Sequence, residues 1–138
     1  MAQYWLFKTE PGTYSFETLL KEKKINWNGV RNFQARNFLK QTKAGDMAII
    51  YHSGEERAAV GLVKIVRAAY PDPDPKKPGD WVQIDLAVDK KFHNPVTLAS
   101  MKANKALAGL LLIKQSRLSC MPVEKKHYDL ILAAAKME

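Results

Sequence analysis

Four prolines, Pro71, Pro73, Pro75 and Pro78, crowd into residues 70–79, and they constrain this fold more than any other feature of the chain. Proline has no backbone N–H and a fixed φ, so neither a helix interior nor a central strand accommodates that spacing. The middle of the chain is therefore a loop. Strand signals lie on both sides of it. Downstream, Val82, Ile84, Leu86 and Val88 alternate with Gln83, Asp85 and Ala87, the period of a half-buried strand. Upstream, residues 58–68 read as a long strand interrupted at Gly61, which predicts a bulge or a close backbone approach. Ser53-Gly54-Glu55-Glu56 is a turn, residues 47–52 a buried strand and Ala44-Gly45-Asp46 another turn. Residues 3–8 alternate as a further strand, ended by Pro11-Gly12.

Helices fill the gaps. Ser15 can cap free backbone amides while Tyr14 packs on Leu19, with Phe16, Leu19 and Leu20 as the apolar face. Asn32 is placed to cap a second helix whose Phe33, Ala35, Phe38 and Leu39 face inward. Thr97 or Ser100 opens a short helix, and residues 110–113 read as one more strand. Residues 122–135 read as an amphipathic helix with Val123, Tyr128, Ile131 and Leu132 on one side. The segment 27–32 is too short and polar to form an element. Strands outnumber helices and hairpin-like turns join several of them. The expectation is an α+β fold, a small, strongly bent sheet or open barrel with helices outside, forming one domain over residues 1–138. A chain of this length buries roughly two-thirds of its unfolded surface.

Composition narrows the function. No apolar run approaches the roughly 20 residues of a membrane span, and Met1 leads into an alternating segment without the flanks of a secretory leader. The single cysteine, Cys120, forms no internal disulfide and suits a reducing compartment. The net charge of +8 is uneven: eight basic against four acidic residues in 1–46, seven of each in 47–100, and seven against three in 101–138. Such a balance favours an anionic partner, nucleic acid first, over a merely solvated lysine surface.

Most catalytic signatures are missing. No GxGxxG or Walker-type loop is present, and His52, His93 and His127 lack metal-ligand spacing. Cys120 sits among Leu118, Met121 and Val123 and reads as a buried structural thiol; Asp72 and Asp74 read as a solvated acidic turn. No catalytic residue, metal or cofactor is expected. Recognition remains. Trp27, beside Asn28 and Gly29 on a segment without apolar period, can offer a face to a stacking ring or plug the end of the barrel. Trp5 reads as core, and Trp81 as cage wall or rim packing. Lys8 ends its strand and can meet a phosphate or base carbonyl, or simply stay solvated. Arg31 can supply a phosphate contact and Asn32 a base-edge amide or a cap. Tyr51-His52-Ser53 closes a buried strand and can line a pocket, with a hydrogen-bonded structural His52 as the alternative.

Taken together, these segments resemble a known family. Tyr4-Trp5-Leu6-Phe7-Lys8-Thr9-Glu10-Pro11, Tyr14-Ser15, and Trp27-Asn28-Gly29-Val30-Arg31-Asn32-Phe33-Gln34-Ala35-Arg36-Asn37-Phe38-Leu39 resemble EVE domains. Gly45-Asp46, Tyr51-His52-Ser53, Val60-Gly61, Tyr70-Pro71-Asp72 and Ser116-Arg117-Leu118-Ser119 extend the likeness over nearly the whole chain. Two departures are mild: Phe33 stands where tyrosine is common and Cys120 where valine is common. The resemblance implies a PUA-like bent open β-barrel flanked by helices, related to YTH readers, with a pocket for an extruded modified base. It implies Trp27 as a cage aromatic, with Lys8, Asn32, Tyr51, His52 and Ser53 around the pocket and Arg31 near the nucleic-acid backbone. The implied partner is nucleic acid carrying a modified base, modified cytosine in DNA ahead of RNA. A monomer is expected, without membrane attachment, in the cytoplasm or, in a eukaryote, the nucleus. RNA binding as an accessory of RNA modification, and sensing of a free nucleoside, stay open as alternatives.

Overall fold

The computed structural model describes residues 3–10, 12, 15–74, 76–115 and 118–135. Its strands are β1 (Tyr4–Thr9), β2 (Lys24–Trp27), β3 (Met47–His52), β4 (Ala58–Pro71), β5 (Val82–Thr97) and β6 (Cys120–Val123). Its helices are α1 (Phe16–Glu22), α2 (Phe33–Gln41), α3 (Leu98–Ala103), α4 (Leu111–Lys114) and α5 (Lys125–Ala134), with a 3-10 turn at Lys105–Leu107. The six strands form one open sheet in the order β2-β5-β4-β3-β1-β6. Every neighbouring pair is antiparallel except β1 and β3, which run parallel. This is the expected bent, unclosed sheet with helices around it.

The long β4–β5 hairpin is the frame, and register shifts along it bend the sheet. One shift falls at Gly61. A Cβ there would stand 2.2 Å from Cζ of Phe16, so the sequence signal reflects both a bulge and a close approach. The core is continuous: Trp5, Leu6 and Phe7 of β1 meet Ile49 and Ile50 of β3, Ile65 of β4, Ile84 and Leu86 of β5, and Met121 of β6. Trp5 Nε1 donates to Asp46 Oδ2 at 3.0 Å, so the buried indole carries no orphaned donor. Cys120 is enclosed, and burial raises its thiol well above the ordinary value.

Ser15 caps α1 by accepting from the Thr18 amide at 3.1 Å, Asn32 caps α2 through Ala35 at 2.9 Å, and Thr97 caps α3. Several boundaries differ from the sequence reading. Residues 111–114 form a short helix, where a strand was expected over 110–113. Residues 120–123 pair with β1 at the edge of the sheet, so Val123 belongs to β6 and α5 starts at Lys125. Pro122 masks this strand in the sequence; at an edge its missing N–H costs little. β4 runs on to Pro71, which shortens the proline loop, and β5 runs on to Thr97. Phe33 does not face inward: it is 54% exposed. Tyr14, Pro11, Pro75 and the Ser116-Arg117 pair lie outside the described residues. Among the described residues no helix is long and apolar enough to cross a membrane.

Candidate nucleic-acid interface

Parallel pairing of β1 and β3 sets Lys8 beside Tyr51 and Thr9 beside His52. The curl of the sheet then brings the free edge strand β2, with Trp27 as its last residue, up to the end of β1. Trp27 is half-buried, and its indole stacks on Phe7 at 5.4 Å and 29°. It borders an open cleft of ≈ 410 Å³ together with Lys8, Thr9, Glu10, Ile25, Asn26 and Asn28. Burial holds the Lys8 ammonium below the usual lysine value, and its Nζ lies 6.0 Å from the Tyr51 ring centroid. An aromatic face backed by a second ring, one cation and two amides can stack a flat ring and bond its edge.

The other sequence candidates do not line this cleft. Tyr51 is buried, and burial pushes its hydroxyl up. His52 is buried too, with both ring nitrogens engaged. Nε2 accepts the Phe16 backbone N–H at 3.0 Å, and Nδ1 lies 2.8 Å from Glu56 Oε1. This fixes the Nδ1–H tautomer and makes His52 a cap for the first turn of α1. Ser53 donates its backbone N–H to Thr9 and borders a second cleft with Glu10, Gly12, Gly54, Glu55 and Glu56. Glu10 borders both clefts. Asn32 spends its carbonyl on its helix.

Arg31 is gripped by the proline loop. Its Nη1 lies 3.1 Å from Asp72 Oδ2 and its Nε 3.0 Å from Asp74 Oδ2. The hydrogen bonds that Arg31 donates to Asp72 and then to Asp74 raise the guanidinium above its ordinary value, and the Arg31 bond holds the Asp74 carboxyl below its ordinary range. Asp72 Oδ2 also accepts the Gly29 N–H at 3.0 Å, where φ is 78°. The expected solvated turn is thus a clamp that anchors the segment following Trp27, and Arg31 is already paired with carboxylates. Trp81 is rim packing under this loop: it is buried, donates to Lys77 O at 2.6 Å and stacks on Phe33 at 5.0 Å.

The sequence reading missed a polar network along β2. Asn26 Nδ2 shares its two hydrogens among three acceptors, Tyr70 Oη at 3.0 Å, Gln83 Oε1 at 2.9 Å and Asp85 Oδ1 at 3.0 Å. Tyr70 donates to Asp85 at 2.7 Å, which holds that carboxyl below its ordinary range. Asn28 Nδ2 donates to Asn26 Oδ1. The available signal was Asn26 between Ile25 and Trp27, a two-residue period too short to stand out.

Residues 3–134 match the EVE domain family profile. The chain belongs to the EVE domain family. This EVE domain is 33% identical to human thymocyte nuclear protein 1, in an alignment spanning 100% of this chain and 76% of that protein. A solved protein of Agrobacterium tumefaciens superposes with a TM-score of 0.92 at 34% identity, covering 99% of this chain and 94% of that one. Human THYN1, solved in complex with 5-methylcytosine-containing DNA, superposes with a TM-score of 0.89 at 33% identity, covering 99% of each chain.

Proposed function

We propose that this EVE domain is a non-enzymatic reader of a modified base, a modified cytosine in DNA, held against Trp27 in the cleft at the end of β1. The observation that carries the reading is the half-buried Trp27, backed by Phe7 and bordering a cleft of ≈ 410 Å³ with Lys8, Asn26 and Asn28 beside it. The human relative solved with 5-methylcytosine-containing DNA supports the same ligand class. The positive net charge supports a polyanion as the partner. A non-catalytic role fits the commitments of the reactive groups: His52 uses both nitrogens in structural bonds and the Cys120 thiol is enclosed. We place this function in a monomer, in the cytoplasm or, in a eukaryote, the nucleus.

Magnitudes limit how selectivity arises. One buried methyl contributes about 0.8 kcal/mol, roughly a fourfold preference. Extruding a base from a duplex costs a few kcal/mol. A large preference therefore needs hydrogen bonds to the ring edge as well as methyl burial. The test is fluorescence anisotropy against oligonucleotides carrying single modified cytosines or adenines, in DNA and RNA, with free nucleosides as competitors. Tightest binding to a modified cytosine in DNA supports the reading. Equal binding to every oligonucleotide, or displacement by a free nucleoside at matching affinity, overturns it.

A further inference from the structure

We infer that Asn28 is a specificity residue whose amide reads the exocyclic amine of the ring stacked on Trp27, and that Asp85 and Gln83 together set its polarity through Asn26. The inference rests on the reader function proposed above and names the base edge being recognised. An asparagine amide can ordinarily flip, offering oxygen or nitrogen to either side. Here it cannot. Gln83 Nε2 donates to the carbonyl of Pro71 at 2.6 Å, which turns Oε1 toward Asn26. The Asp85 carboxylate receives the Tyr70 hydroxyl and only accepts. Asn26 must therefore present Nδ2 to both, as it does, and Oδ1 to the other side. Asn28 must meet that oxygen with its own Nδ2.

The consequence falls in the cleft. Asn28 is exposed and borders the cleft beside Trp27, and its Oδ1 has no hydrogen-bond partner among the described residues. A stacked ring with an exocyclic amine at that edge donates to Oδ1. A ring with a carbonyl there sets two acceptors against each other, which leaves both unpaired. Cytosine carries the amine and thymine the carbonyl. The cleft is thereby selective for an amine-bearing pyrimidine.

5-Methylcytosine and thymine carry the same methyl group and differ along this edge, so they isolate the effect. Each is placed opposite an abasic position in the same duplex, so that extrusion breaks no base pair, and affinities are measured by anisotropy. The wild type favours 5-methylcytosine over thymine by about tenfold. Asn28→Ala brings the ratio close to one, and Asp85→Asn combined with Gln83→Ala, which removes both fixed acceptors that orient Asn26 and lets the relay flip, lowers it with Asn28 intact. Thermal unfolding confirms that both variants are folded. A ratio that survives Asn28→Ala overturns the inference, and one that survives the Asp85→Asn, Gln83→Ala double variant overturns the relay. The two failures are separable from that of the reader function. If 5-methylcytosine is preferred over cytosine and the preference depends on Trp27, while the thymine ratio ignores Asn28, only this inference fails. If that preference is absent from the wild type, both fail.

Discussion

His52 shows how one side chain can look functional and serve the fold. In the sequence it closes Tyr51-His52-Ser53 at a strand end, where pocket residues gather. In the structure both nitrogens are spent, one on the Phe16 N–H and one on Glu56. Removing the ring leaves a buried backbone donor without a partner, which costs about 1–3 kcal/mol. His52→Ala should lower the urea midpoint accordingly, and an unchanged midpoint would contradict the capping role. Asn32 was legible as a cap because a capping signature is local: the side chain meets an amide three residues away. The Arg31 partnership was not legible, because Asp72 and Asp74 lie more than forty residues downstream and reach it only once the hairpin folds back.

Elements were legible where period and punctuation agreed. The long strands, the proline loop and the capped helices followed from alternation, Gly and Pro. β2 and β6 did not, since four residues carry too little period and Pro122 argues against a strand that only an edge permits. Gly61 was legible as an exception within β4, and its cause is Phe16. Gly61→Ala should destabilise the domain by about 1–3 kcal/mol through overpacking; a thermal midpoint equal to wild type would show that the ring moves aside freely. The clamp between Arg31 and the loop has a pH signature. The Asp74 carboxyl is depressed when folded, so its contribution is complete above the unfolded carboxylate value of about 3.9. It is lost only as pH falls through the still lower folded value. The chemical shift of the Arg31 Nε–H, followed by NMR, should hold its bonded value at neutral pH and move only on strong acidification. Release between pH 6 and 8 would contradict the clamp.

Across the whole molecule, the open sheet sets Trp27, Lys8, Asn26 and Asn28 around one cleft in a protein of net charge +8. Charge should govern affinity and the cleft should govern selectivity. Affinity for any oligonucleotide should then fall linearly with salt on a double-logarithmic plot, by about 0.9 per phosphate neutralised. Preference for the modified base should change little along the same titration, whereas a preference that vanished with added salt would assign selectivity to the charged surface. The most direct test of the central claim is Trp27→Ala, measured against modified and unmodified DNA with folding checked by circular dichroism. If the indole stacks on the extruded base, affinity for modified DNA falls by about tenfold to a hundredfold, the equivalent of about 1–3 kcal/mol per stacked base. Unmodified DNA, held through phosphates, loses much less. A folded Trp27→Ala protein that keeps the original margin between the two DNAs would contradict the account.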